Sequence, residues 1–352
     1  MIFNKDSAGA KELKALLGFI YKSNNFDNLI SFIAFAENDL RKVISSEVFD
    51  LAESHYKSSN FSISPVTDHP EYFILDKLVS SIQLPVALHA YRRYAVQNDL
   101  AHSDKGRTII VTNEEKPAFE WMIDKSDRSL LEIAHEATDL LLEFLDKNAA
   151  TTYVTSIPGG LPGNPPISST LILLPWAASA QFKLIRELFI TKDQFDNEFS
   201  IGGSRRVFLA ISPFIRSVQK NEIFASLGIV KYDLVKAELL SGTVSSEIEA
   251  LLGKIRPALA FIALSKDVLR LSIEVLPNGI FTNFITGTIN SKSAAADPVR
   301  VQVSNLLNSQ GLADMAKLQD YLSRLIIESA GGTVTPASIT DRIDPTLKYV
   351  RF

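Results

Sequence analysis

The sharpest chemical pattern in this 352-residue chain is Glu132-x-x-His135. On a helix that spacing puts a carboxylate and an imidazole on one face, half of a di-iron carboxylate site. A whole site needs a second such pair and two further glutamates, and the positions 181 residues on are Ala313 and Ala316. Solvated or capped side chains account for the pair better. His55, His69, His89 and His102 lack HExxH-type spacing, and His89 reads as a packed or partner-bonded imidazole. There is no GxSxG elbow for a serine nucleophile. Gly159, Gly160 and Gly163 lie in a proline-rich run without the GKS or GKT of a phosphate loop. Gly202, Gly203, Arg205 and Arg206 can hold an anion at a helix start, although a loop before a solvated helix end is the favoured reading. Tyr91, Arg92, Arg93 and Tyr94 combine rings and cations as in surfaces that stack single strands. Residues one and two apart on a helix do not share a face, so these four are expected to divide between core edge and solvent. With no cysteine, thiolate metal sites and cysteine nucleophiles are excluded. The expectation is a protein that is not an enzyme, with no catalytic residue, metal or cofactor.

Bulk properties narrow the class further. A hydrophobic content of 46% with 22% charged residues is that of a globular chain, and the length suggests two domains. A formal net charge of -4 gives no basic footprint for gripping a phosphate backbone, so tight nucleic-acid binding is not expected. The most apolar run, Leu171 to Ala180, is well short of the roughly 20 residues that span a bilayer and contains Pro175. No membrane partner is expected. The opening MIFNKDSAGAKELK is polar where a secretory leader has an apolar core, which predicts a cytoplasmic protein.

The elements that would position any site recur along the chain. Leu78 to Thr112 returns as Leu251 to Asn283, with Leu78, Ile82, Val86, Ala90 and Gly106 matched 173 positions on by Leu251, Ile255, Leu259, Ala263 and Gly279. Each copy reads as an apolar helix, a break with a glycine, and a short strand. IFNKD (Ile2 to Asp6) is echoed by FITKD (Phe189 to Asp193) at a shift of 187. The helical stretch containing Leu29, Phe35, Ile44 and Val48 is echoed at 179 by Phe208, Phe214, Ile223 and Leu227. Pro117, which opens a long helix reaching Lys147, is echoed at 181 by Pro298. The fold class predicted is mainly α, a tandem duplication of a helical unit with a short turn and strand in each copy.

In the first copy the pattern predicts helices over about 11–22, 26–53, 71–101 and 117–147, with a strand from Arg107 to Thr112. Residues 149–168 are rich in proline and glycine and read as linker or surface loop. Leu171 to Leu188, with Trp176, reads as an extra helix that packs the copies together or docks on a neighbour. The domains are then 1–148, 149–186 with linker and extra helix, 187–330, and a tail over 331–352. That tail ends in Leu347, Tyr349, Val350 and Phe352, which either fray or add a strand to a partner's sheet.

This order of blocks resembles the head-tail connector (adaptor) proteins of tailed bacteriophages, and it is similar to a family of uncharacterised proteins encoded in Bacteroidetes prophages. The features that carry the resemblance are the FxxKD-like starts, the helices Phe32 to Val48 and Phe208 to Leu227, and the paired long helices around a glycine turn. A usual adaptor has one such unit where this chain has two. The resemblance implies a structural subunit, made in the cytoplasm and ending in the virion, that assembles with itself and docks on portal and tail proteins. The alternative is a cytosolic helical interaction module binding a protein or peptide between its units. Candidate assembly contacts are Arg107, Ile109 and Val111, Trp176, Ile280, Phe281 and Phe284, and Tyr349 and Phe352. The strands among them pair with a neighbouring chain or only within their own.

Overall fold

The structure is a computed structural model that describes residues 1–18, 26–59, 61, 72–98, 101–103, 106–108, 119–150, 152–155, 170–268, 281–286, 289–294 and 297–329. The protein is mainly α-helical. Its first half begins with buried Ile2 and Phe3 and a 3-10 turn, Lys5–Ser7, before α1 (Gly9–Leu17). A second 3-10 turn, Asp27–Leu29, leads into α2 (Ile30–Ile44), followed by α3 (Ser46–Lys57) and α4 (Phe73–Asn98). A hairpin of β1 (Ala101–Ser103) and β2 (Gly106–Thr108) precedes α5 (Glu120–Lys147).

Three expectations are corrected here. The helix expected over 26–53 breaks at Ser45, whose φ of 76° takes the backbone out of the helix while its Oγ accepts the Val48 N–H and starts α3. The helix expected to begin at 117 begins at Glu120, because Phe119 before it is extended, ψ 146°, and stands outside the helix. The helix expected over Leu171 to Leu188 starts as a strand: β4 (Thr170–Leu173) pairs antiparallel with β3 (Thr152–Thr155). A 3-10 turn, Pro175–Ala178, follows it, and then α6 (Ala180–Arg186), capped by the Ser179 Oγ. Pro175 has no N–H to continue a helix through that point, and Ser179 supplies a fresh start.

The second half opens on buried Leu188, Phe189 and Ile190 and continues through α7 (Lys192–Glu198) and α8 (Arg205–Val218). A π turn, Gln219–Ile223, joins α8 to α9 (Phe224–Ser241), which is itself broken at Gly228, φ 73°. Then come α10 (Ser246–Val268), the hairpin of β5 (Phe281–Thr286) and β6 (Ile289–Ala294), and α11 (Asp297–Ser329).

Two apolar cores result, one running from Ile2 to Trp176 and one from Leu188 to Leu322. Each is built around a helix with a proline inside it, Pro85 in α4 and Pro257 in α10. Leu75, Leu78, Val79, Ile82, Val86, Ala87 and Ala90 are buried around nearly the whole circumference of α4, so the helix is central rather than amphipathic. By length and composition alone α4 would also cross a membrane; here α2, α3 and α5 cover it. At the other centre Gly311 lets α11 close on α10, since a Cβ there would lie 2.4 Å from the Ile262 side chain.

The non-helical start of each half is held by side chains, because buried backbone groups must be paired. The Ile2 N–H donates to Glu37 Oε1 (2.7 Å), and Gln83 Nε2 donates to the Ile2 carbonyl (2.8 Å). The Phe189 N–H donates to Gln219 Oε1 (2.9 Å), and Arg256 Nε donates to the Phe189 carbonyl (3.4 Å). In both halves the acceptor comes from the second helix or the turn that ends it, and the donor from the central helix.

Candidate functional site

The polar chemistry of the chain gathers where α5 meets α8. Asp139 on α5 reaches the start of α8, where its carboxylate accepts from the Ser204 Oγ (2.8 Å) and from the Arg206 backbone N–H. The first-turn N–H groups of a helix lack partners within it and carry a partial positive charge, so a carboxylate there both pairs and neutralises them. The anion that the sequence allowed at Gly202–Arg206 is thus supplied by the chain itself, and the favoured reading of a solvated helix end is corrected. Gly202 and Gly203, both with φ 67°, bring the loop round, and Asp196 Oδ1 accepts the N–H groups of Ile201 and Gly203.

Two turns along α5, Asp146 accepts the Trp176 indole N–H (2.9 Å) and pairs with Arg205 (2.5 Å). Trp176 is fully buried. Its ring completes the first core, and α6, which follows it in the same segment, lies against α8 of the second half. The link across the junction is Asp146. Beside it a cleft of about 710 Å³ opens between α5 and residues 182–205, walled by Glu136, Asp139, Glu143 and Asp146, with Leu140 and Phe182 as its apolar part.

The histidines separate by environment. His135 does not form a metal half-site with Glu132, which is exposed; its ring lies against His89, centroids 6.0 Å apart. Burial first, and the charge of nearby arginines second, push both imidazoles down to about 4. His55 is buried and bonded to Asp76 (2.8 Å), tying α3 to α4, and stacks on Tyr72. Among the described residues there is no group of three His, Cys, Asp or Glu placed to hold a metal ion. Tyr91 and Tyr94 pack at the edge of the first core, and Arg93 pairs with Asp39.

Of the other candidate assembly contacts, Arg107 lies in β2 opposite His102, and Phe281 and Phe284 lie in β5 opposite Ala294 and Ser291, so these strands pair inside the chain. Ile109, Val111, Ile280, Tyr349 and Phe352 lie outside the described residues. The residues that hold the junction and the two starts, Asp139, Asp146, Glu37, Gln83, Gln219 and Arg256, were not singled out from sequence. One signal was available: Gln83 and Arg256 are polar, stand 173 apart, and interrupt otherwise apolar helices.

Fold and junction together define a mainly helical protein of two cores joined through a polar seam. A family profile matches residues 40–159 and 223–326, more than half of the chain, and the chain belongs to that family, described as a family of unknown function (DUF6712). No match is found among curated proteins or among solved structures.

Proposed function

We propose that this chain is a tandem duplication of one helical unit and serves as a structural, self-assembling subunit of a phage or prophage head-tail connector, docking on portal and tail proteins. The duplication is supported by the equivalent clamps on Ile2 and Phe189 and by the family match, which falls as one stretch in each half. Self-assembly rests on one observation. The second half exposes large apolar side chains on its outer helices, Val230 (78% exposed), Ile229 and Leu234 on α9, and Leu306 (71%), Leu312 and Ile326 on α11. Apolar surface is ordinary when scattered and marks an interface when contiguous; Val230 and Leu234 share one face of α9, and Leu312 and Ile326 one face of α11. On this reading the protein is made in the cytoplasm and ends in the virion.

A second reading, a cytosolic interaction module, draws on the cleft between α5 and residues 182–205, whose Glu136, Glu143 and Asp193 outnumber its cation Lys192 once Asp139, Asp146 and Arg205 are paired within the chain, and which suits a basic peptide with an apolar anchor.

Light scattering of the full chain over a concentration series, alone and with the portal protein encoded beside it, tests the connector. A defined oligomer that Val230→Glu dissolves is the expected result. A monomer under every condition, or a gene neighbourhood without portal, terminase and capsid genes, would overturn the connector and leave the cleft reading.

A further inference from the structure

A small cavity of about 160 Å³ lies deeper in the seam than the cleft. It is bounded by α2, α4 and α5 of the first half and by the first turn of α8 of the second. Its polar lining is Asp39, His89, Arg93, His135, Thr138 and Arg206, and the rest is aliphatic. The charges around the two imidazoles are unequal. Arg92, Arg93 and Arg206 act on the pair as cations, and Asp39 is the one carboxylate among the groups that perturb it. That carboxylate is already engaged, by Arg93 at 2.6 Å and by Lys42 at 2.9 Å. Arg92 Nε is buried without a hydrogen-bond partner.

A cavity with this balance repels a metal ion although it has two imidazoles. Three guanidinium groups at this range make the protonation or metallation of either ring more costly, and they add to burial, the larger cause, in lowering both histidines. An anion meets the opposite situation. The guanidinium N–H groups of Arg93 and Arg206 can donate to it in the bidentate manner suited to oxyanions, and each imidazole can donate one N–H, or protonate and strengthen the bond. The space is adequate, since a cavity of ~150 Å³ takes a guest the size of benzene, and tetrahedral oxyanions are smaller.

We infer that the cavity between His89, His135, Arg93 and Arg206 is a binding site for a small free oxyanion, phosphate or sulfate, which bridges the two halves of the chain. Its volume of about 160 Å³ suits an anion of that size and not a bulky group carried beside it. The inference stands apart from the connector reading, because it concerns a ligand held inside one chain and needs no second copy.

The test is a histidine titration of the full chain by NMR, in phosphate and in chloride at matched ionic strength, with thermal unfolding followed in both buffers. Two of the five histidines should titrate low in chloride and rise by roughly one unit in phosphate, because an anion lowers the cost of the neighbouring positive charge. Unfolding should also move to higher temperature in phosphate. Arg206→Met should abolish both responses and Arg206→Lys should keep part of them. If Arg206→Met disturbs α8, His135→Gln gives an independent reading, with phosphate binding weakened several-fold. Equal behaviour in phosphate and chloride, or an undiminished phosphate response in the variants, would overturn the inference.

Discussion

The two halves solve the same backbone problem with different chemistry. In the first, the start segment is held by a carboxylate on α2 and an amide on α4; in the second, by an amide at the end of α8 and a guanidinium on α10. Arg256 in turn needs Glu249 as a counter-ion, whereas Gln83 needs none. A buried N–H and carbonyl require a donor and an acceptor in place, and the charge those side chains carry is left free to vary. The halves therefore share geometry while differing in which ionisable groups they bury.

The largest break in this comparison should come from Trp176→Ala. It empties a fully buried site in the first core and strips one partner from Asp146, and aromatic-to-alanine changes of this kind cost about 3–5 kcal/mol. Amide exchange should show the loss over α3 to α5, with α10 and α11 keeping their protection. Equal loss in both halves would mean that they unfold as one unit.

Acidity should separate the halves next, with opposite signs. His89 and His135 stay neutral in the fold down to about 4, against an ordinary 6.5. As pH falls through that window the unfolded chain takes up protons that the folded chain does not, so stability is lost on the acid side. At Glu53 burial works upward, yet hydrogen bonds from Lys57 and the Met1 ammonium hold it down to about 2, which adds to the acid loss. Glu37, raised by burial, subtracts from it. In the second half burial pushes Asp267 up to about 7 from 3.8, with neither carboxylate oxygen partnered. There the folded chain keeps a proton that the unfolded chain has released, so stability falls as pH rises from about 4 to about 7 and then levels off. Glu198, raised by burial and by Asp314, acts in the same sense. Each large shift is worth on the order of 2–4 kcal/mol at the far side of its window. Exchange at about pH 5 and about pH 8 should reverse which half is better protected, and Asp267→Asn should flatten the response of the second half alone.

The smallest effect sharpens the comparison most. Asp139 and Asp320 stand 181 apart, at matching places on α5 and α11. Asp139 caps α8, while Asp320 pairs with Arg324 on the exposed face of its own helix. Asp139→Ala should cost about 1–2 kcal/mol, as loss of a helix cap does, and Asp320→Ala less than ~0.5 kcal/mol. Chemical denaturation of the two variants checks the contrast.

Periodicity made much of this fold legible. The central helices and the paired starts at Ile2 and Phe189 stood out, because apolar spacing reports which face is buried, while Pro85 and Pro257 lie inside helices that spacing alone carries through them. It does not report what that face is buried against. The Trp176 segment therefore read equally as packing between the copies or as a docking arm, and Asp139, solvated by every local rule, turned out to cap a helix some 65 residues away. The break at Ser45 was hidden for another reason: a positive φ is usually advertised by glycine, and serine occupies that position. The cavity at His89 and His135 was unreadable because its walls come from four helices of two halves, and only the histidines carried any signal at all.

The burial of α4 also bears on how the chain is made. During synthesis from the N-terminus, α1 to α3 leave the ribosome before α4, and they supply the surface that takes one side of it. Its other side stays bare until α5 has emerged. For that interval the nascent chain displays a helix that a membrane-targeting machinery could mistake for a span. The faster α5 closes over it, the less of the product is lost to that error or to aggregation.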